Sequence, residues 1–205
     1  MDSTQSKATD TFFATRRERR LWTWTLALVL TIFATLGLAS TLAEVLYNQG
    51  LSAVVFLTVM ALVGLAILTQ GLKTRPGGIE IGIGLGIAAV YLMVFLRLTI
   101  PERSHLIEYG VVAVFIYEAL TERASHGRFV PVPAILAILL SSMIGVIDEI
   151  VQLFLPSRHF DKDDILFNLL ASSMSIIAMV ILGWGRRLAV RAIQGKTSEE
   201  SEHDE

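Results

Sequence analysis

"PAILAILLSSMIGVIDEIVQLFL", residues 133–155, decides the fold. It is long enough for a hydrocarbon core, which takes roughly 20 apolar residues in helical form. Yet its second half holds Asp148, Glu149 and Gln152. Ser141, Gly145, Asp148 and Gln152 recur at helical spacing and share one face. The small residues on that face suit close helix packing, and the polar ones then point into a bundle rather than at lipid.

Working outward, five more apolar runs appear: 21–43, 51–70, 79–100, 104–121 and 165–184. The run at 104–121 is the weakest, being short and flanked by His105, Glu108 and Glu118. Over 205 residues the chain is 53% hydrophobic and only 18% charged, with a mean hydropathy of +0.61. Lipid leaves backbone groups no partner but the chain itself, so runs of this length form helices. The expectation is an all-α, polytopic transmembrane bundle of about six spans. Asn48-Gln49-Gly50 and Arg75-Pro76-Gly77-Gly78 break the chain between spans, and Pro101, Pro131 and Pro156 sit near helix ends.

Charge orients the bundle. With the N-terminus inside, thirteen of the seventeen Lys and Arg fall on the same side, from Lys7 and Arg16 to Lys196. Only Arg103, Arg158 and Lys162 fall on the other side, and Arg97 lies within the third span. This positive-inside bias places both termini in the cytoplasm. A signal-peptide reading of the first span is disfavoured: its apolar run exceeds an h-region, and Thr41-Leu42-Ala43 is a poor cleavage site. Residues 1–20 are read as a basic cytoplasmic segment, 21–78 as two N-terminal spans and 79–185 as a four-helix region. Residues 186–205 are read as a cytoplasmic acidic tail, disordered from Lys196 on (KTSEESEHDE). With no cysteine, disulfides and thiolate metal sites are excluded.

Polar residues crowd one end. Asp148 lies seven residues before Leu155, about 10 Å below the outer end of its span. Asp164 and Asn168 share a face near the outer end of the sixth span; His105, Glu108 and Tyr109 do so on the fourth. Arg97 ends the third span at that depth. A carboxylate in the bilayer costs roughly 2.5–3.5 kcal/mol, so a shared pocket with an apolar floor, an outward mouth and Arg158 above it is the economical arrangement. Asp161 with Asp164 reads as an N-cap pattern for the sixth span. His105 and Glu108 with Asp148 or His159 make a loose metal-ligand set, and no metal or cofactor is expected from it. Gly78, Gly82 and Gly86 stack on one face and predict close approach of another helix, in this chain or a partner.

"HLIEYGVVAVF" (105–115) followed by "DEIVQLFLPSRHFDKDDILFN" (148–168) resembles the VanZ-like family of small polytopic bacterial membrane proteins. That pattern has His and Glu-Tyr opening one helix, Asp-Glu-x-x-Gln on the next, Pro-x-Arg in the loop and Asp-x-x-x-Asn opening the last. Here these are His105, Glu108, Tyr109, Asp148, Glu149, Gln152, Pro156, Arg158, Asp164 and Asn168. The match covers roughly 90–185. It departs at Leu169-Leu170-Ala171-Ser172-Ser173, where the family often has a glycine-rich run, which implies looser packing. The resemblance implies a bacterial plasma-membrane protein, and for the founding member low-level resistance to the lipoglycopeptide teicoplanin.

Four functions fit these residues. The first is binding or modification of a lipid, lipid-linked head group or lipoglycopeptide-like amphiphile, with Arg97 and Arg158 meeting anionic groups. The second is an intramembrane enzyme with Asp148 or Glu149 as base and His105 as acid; no Ser or Cys nucleophile motif supports it. The third is a proton-coupled transporter, against which stands the lack of an inverted repeat. The fourth is an accessory subunit of a larger complex. Nothing points to nucleic acid.

Overall fold

The computed structural model describes residues 12–46, 78–97, 100–155 and 161–203. The expected second span, Arg158 and His159 lie outside them. The described residues form five helices and no strand: α1 (Arg16–Leu46), α2 (Gly78–Arg97), α3 (Ile100–Ser125), α4 (Pro133–Gln152) and α5 (Lys162–His203). They correspond to the first, third, fourth, fifth and sixth expected spans. Two segments, Pro133–Gln152 and Lys162–Leu188, are long and apolar enough to cross a membrane; Ile81–Val94 is a shorter apolar stretch.

Burial on α4 explains its composition. Its inner face is Ala137, Ser141, Gly145, Asp148, Glu149 and Gln152, all buried. Its outer face is Ile135, Leu139, Met143, Ile147 and Ile150, all exposed. Polar inside and aliphatic outside reverses the pattern of a helix packed in water, and it is the pattern of a helix whose outer face meets lipid.

Helix α3 is the hub, packing against α1, α4 and α5, while α2 packs on α5. Its core residues Val112, Ala113, Ile116 and Leu120 meet Ile32 of α1, Ala137 of α4 and Ile176 of α5. The helices come close where small residues allow it. A Cβ on Gly110 of α3 would lie 2.7 Å from Ser175 Oγ of α5, and one on Gly145 of α4 would lie 2.7–3.0 Å from the Asn168 side chain. The predicted close approach at Gly78, Gly82 and Gly86 is not made among the described residues, where a Cβ at any of the three meets nothing within 4 Å. Nor is α5 loose after Asn168: Ala171 and Ser172 are fully buried, supplying the small side chains that glycines would.

Helix ends follow local chemistry. Asp161 caps α5 as expected, its Oδ1 accepting from the Asp163 backbone N–H at 2.9 Å. At α1 the Thr15 hydroxyl accepts from the Glu18 N–H at 2.9 Å, and Glu18 Oε2 accepts from the Ala14 N–H at 2.5 Å. This is a capping box whose return bond reaches one residue further back, to Ala14 rather than Thr15. Between α3 and α4, Val132 sits at φ 29°, held between Pro131 and Pro133, in a region a β-branched residue rarely adopts. Helix α5 runs on to His203 through the tail expected to be disordered, because Lys196 and the glutamates after it are good helix formers with no proline among them.

Candidate functional site: a buried carboxylate–histidine cluster

The N-terminal ends of α3 and α5 and the C-terminal end of α4 meet at one end of the bundle. Helical spacing turns His105 and Tyr109 inward from α3, Asp148 and Gln152 from α4, and Asp164 and Asn168 from α5. All of these but Asp164 are buried: His105 is 6% exposed, Asp148 1%, Gln152 2%, and Tyr109 and Asn168 0%. Glu149, next to Asp148 along the helix, is also 0% exposed, so both carboxylates turn into the bundle.

Contacts tie the three helices together. Gln152 Nε2 donates to Glu149 Oε1 at 3.0 Å and reaches Asp148 Oδ2 at 3.4 Å, so one amide bridges both acids. Glu149 Oε2 accepts from the Asp161 backbone N–H at 3.3 Å, joining α4 to the cap of α5. His105 Nε2 lies 3.5 Å from Asp164 Oδ2. The His105 ring stacks on Tyr109 with centroids 5.9 Å apart and planes 11° apart. The Tyr109 phenol has Asp148, Glu108 and Glu149 as its charged neighbours. A ligand atom from each of His105, Asp148 and Glu149 lies within 4.8 Å of the others. Were both acids ionised at that separation they would repel by roughly 3–4 kcal/mol at an effective dielectric of about 20, which favours a proton or a cation between them. The Gln152 amide orients them and brings no charge of its own.

The expected convergence is therefore present for His105, Tyr109, Asp148, Glu149, Gln152, Asp164 and Asn168. Glu108, one residue before Tyr109 on α3, is partly exposed. Arg97, by contrast, is exposed in the last turn of α2 and stays outside the cluster. Arg158 lies outside the described residues. The floor differs from the apolar one expected. Ser172 Oγ donates to Ser141 Oγ at 3.0 Å and sits 2.8 Å from the Asn168 carbonyl. Ser141 Oγ in turn donates to the Tyr109 carbonyl at 3.2 Å. Ser141 thus satisfies the Tyr109 carbonyl, and the single Ser172 proton is shared between Ser141 Oγ and the Asn168 carbonyl; among the described residues neither side-chain atom of the Asn168 amide is hydrogen-bonded. Among the described residues His105 Nδ1 also lacks a partner. Buried polar atoms left this way are rare and costly unless something occupies the space they face.

Two features were not read from the sequence. One is a clasp at the opposite end, where α1 begins and α3 ends. Arg17 pairs with Glu118 and Glu122 at 2.6 Å each, and Arg123 pairs with buried Glu18 at 2.9 Å. The motif Thr15-x-x-Glu18 was its available signal. The Arg17 guanidinium and the Thr15 hydroxyl hold the Glu122 carboxyl below the usual carboxylate range; the Glu122 hydrogen bond holds Arg17 above its ordinary value. The other is a groove of about 340 Å³ between α2 and α5, lined by Ile83, Gly86, Val90, Tyr91, Met174 and Ile181 among others. At its side Tyr91 and Ser175 share a hydrogen bond of 2.9 Å.

The VanZ/LLP1 family model matches residues 21–183. That is wider than the 90–185 over which the motifs are read, and it takes α1 into the same unit as α3, on which α1 packs. No curated protein and no solved structure matches the chain. With the match running through all three helices that build the cluster, the chain belongs to the VanZ/LLP1 family.

Proposed function

We propose that this is a multi-pass protein of the bacterial plasma membrane with both termini in the cytoplasm. Its buried cluster binds or modifies the head group of an envelope amphiphile, a lipid or a lipid-linked glycan, from the extracytoplasmic side. The observation that carries this reading is the meeting of His105, Asp148, Glu149, Gln152 and Asn168 from three helices, away from water, with amide and imidazole atoms left for a ligand. Such groups are expensive beside lipid and mark function. Arg97 and Arg158 stand nearby in sequence terms as partners for anionic groups. The open Gly78/Gly82/Gly86 face is the surface on which a membrane-protein partner would pack. Family membership supports a role in susceptibility to lipoglycopeptides.

Deleting the gene is expected to change lipoglycopeptide sensitivity or the envelope lipid profile, and no change in either sinks the reading. Topology has its own test, because the chain has no cysteine. Ser157→Cys is expected to react with an impermeant thiol reagent on intact cells and Ser198→Cys is not. The reverse labelling would move the cluster to the cytoplasmic side.

A further inference from the structure

We infer that His105, Asp148 and Glu149 hold a divalent cation of the Zn²⁺ or Mn²⁺ class. Their ligand atoms lie within 4.8 Å of one another, and all three residues are buried. Zn–N and Zn–O bonds of about 2.0–2.2 Å set tetrahedral ligands roughly 3.4 Å apart, so closing the set takes side-chain torsion rather than helix movement. Imidazole with two carboxylates suits borderline metals better than Mg²⁺ or Ca²⁺, which take oxygen ligands.

The second observation is independent of the acids. His105 is more than nine-tenths buried, and its Nδ1 has no hydrogen-bond partner among the described residues. Its other nitrogen, Nε2, faces Asp164 at 3.5 Å, and its ring is set in place by the stack on Tyr109. A metal-bound histidine shows this arrangement, with one nitrogen on the ion and the other on a carboxylate. Gln152, bridging Asp148 and Glu149, orients the remaining two ligands from behind. The fully buried Asn168 amide, also without hydrogen bonds among the described residues, packs against Gly145 one turn below Asp148.

Three protein ligands leave a fourth position open, as in catalytic rather than structural sites. An anionic head-group oxygen would fill it. That last step rests on the function proposed above, whereas the cation site does not.

The test uses the full chain, purified in detergent without a polyhistidine tag, stripped with chelator and dialysed against Zn²⁺ or Mn²⁺. About one equivalent per chain is expected in the wild type and in Glu122→Gln. His105→Ala and Asp148→Asn are expected to lose it, and Gln152→Ala to bind roughly 10–100-fold more weakly. No uptake by the wild type, or equal uptake by His105→Ala, overturns the site. Should the variants not fold, electron paramagnetic resonance of Mn²⁺ on the wild type decides. One coordinated imidazole nitrogen supports the site, and none overturns it. Binding of anionic-lipid vesicles, measured with and without chelator, separates the two claims. Metal without lipid binding sinks only the head-group reading; lipid binding by a protein that takes up no metal sinks only the cation site.

Discussion

The two ends of the bundle spend charge in opposite ways. At the Arg17 end, Arg17, Glu18, Glu118, Glu122 and Arg123 all meet an opposite charge. At the His105 end, two acids stand side by side and a third faces a histidine. Among the described residues, Glu149 is held by an amide side chain and a backbone N–H, neither of which carries charge. The clasp completes itself from the chain's own groups, and this is the mark of a structural element. Among the described residues the cluster leaves an imidazole nitrogen and a whole carboxamide without partners, which is what a ligand would complete. Number of polar contacts does not separate the two; what each contact leaves over does.

The comparison breaks most visibly in function. Asp148→Ala or Gln152→Ala is expected to abolish the gene's phenotype while the protein still inserts, as read by complementation and membrane fractionation. Arg123→Ala is expected to keep it. If activity survives both cluster changes, the cluster is helix glue and the two ends are alike.

Gly145→Ala sharpens the contrast through packing. The new methyl group meets Asn168 Cβ at 2.8 Å as well as its amide, so the helices must part. A loss of about 1–3 kcal/mol is expected, seen as a lower melting temperature in detergent together with lost phenotype. A variant as stable as the wild type would show that α4 and α5 are not held this close.

Arg123→Ala removes the guanidinium from Glu18, a fully buried acid, while Arg123 itself is 25% exposed. About 2 kcal/mol is expected, below the range for wholly buried pairs because water reaches the arginine. A change in phenotype without a change in melting would mean the clasp is itself functional.

The smallest effect is in acid. The folded-state value of Glu122 lies below its unfolded one. Its contribution is present above the unfolded value and is lost as pH falls through the folded one. Arg17 stays charged throughout. The melting temperature of the wild type is therefore expected to fall more steeply than that of Glu122→Gln below about pH 4.3, the ordinary glutamate value. Parallel curves would show that the clasp carries no linked proton.

Much of this contrast is legible along the chain, and the rest shows what periodicity leaves out. Spacing assigns a residue to a face, so Asp148 with Gln152 and Asp164 with Asn168 could be placed in the bundle from sequence. It does not say which atoms stand opposite. The triplet at Gly78, Gly82 and Gly86 has the stronger pattern, yet among the described residues the close approaches are at Gly110, Gly145 and Gly185, where Ser175, Asn168 and Ile83 face them. Glu118 counted against the fourth span because its partner, Arg17, is 101 residues away. The hydroxyl floor is not legible in sequence, because Ser141 and Ser172 read as small residues and only their 3.0 Å contact shows them as a pair. By contrast the Asp161 cap is local and was readable.

The fit of Asn168 against Gly145 also bears on how such a protein drifts. At position 145 any larger side chain would strike residue 168, and a bulkier residue 168 would strike α4. Neither column of an alignment is free to change alone. Descendants that replace the glycine are expected to carry a shorter residue at 168, and with it an altered cluster.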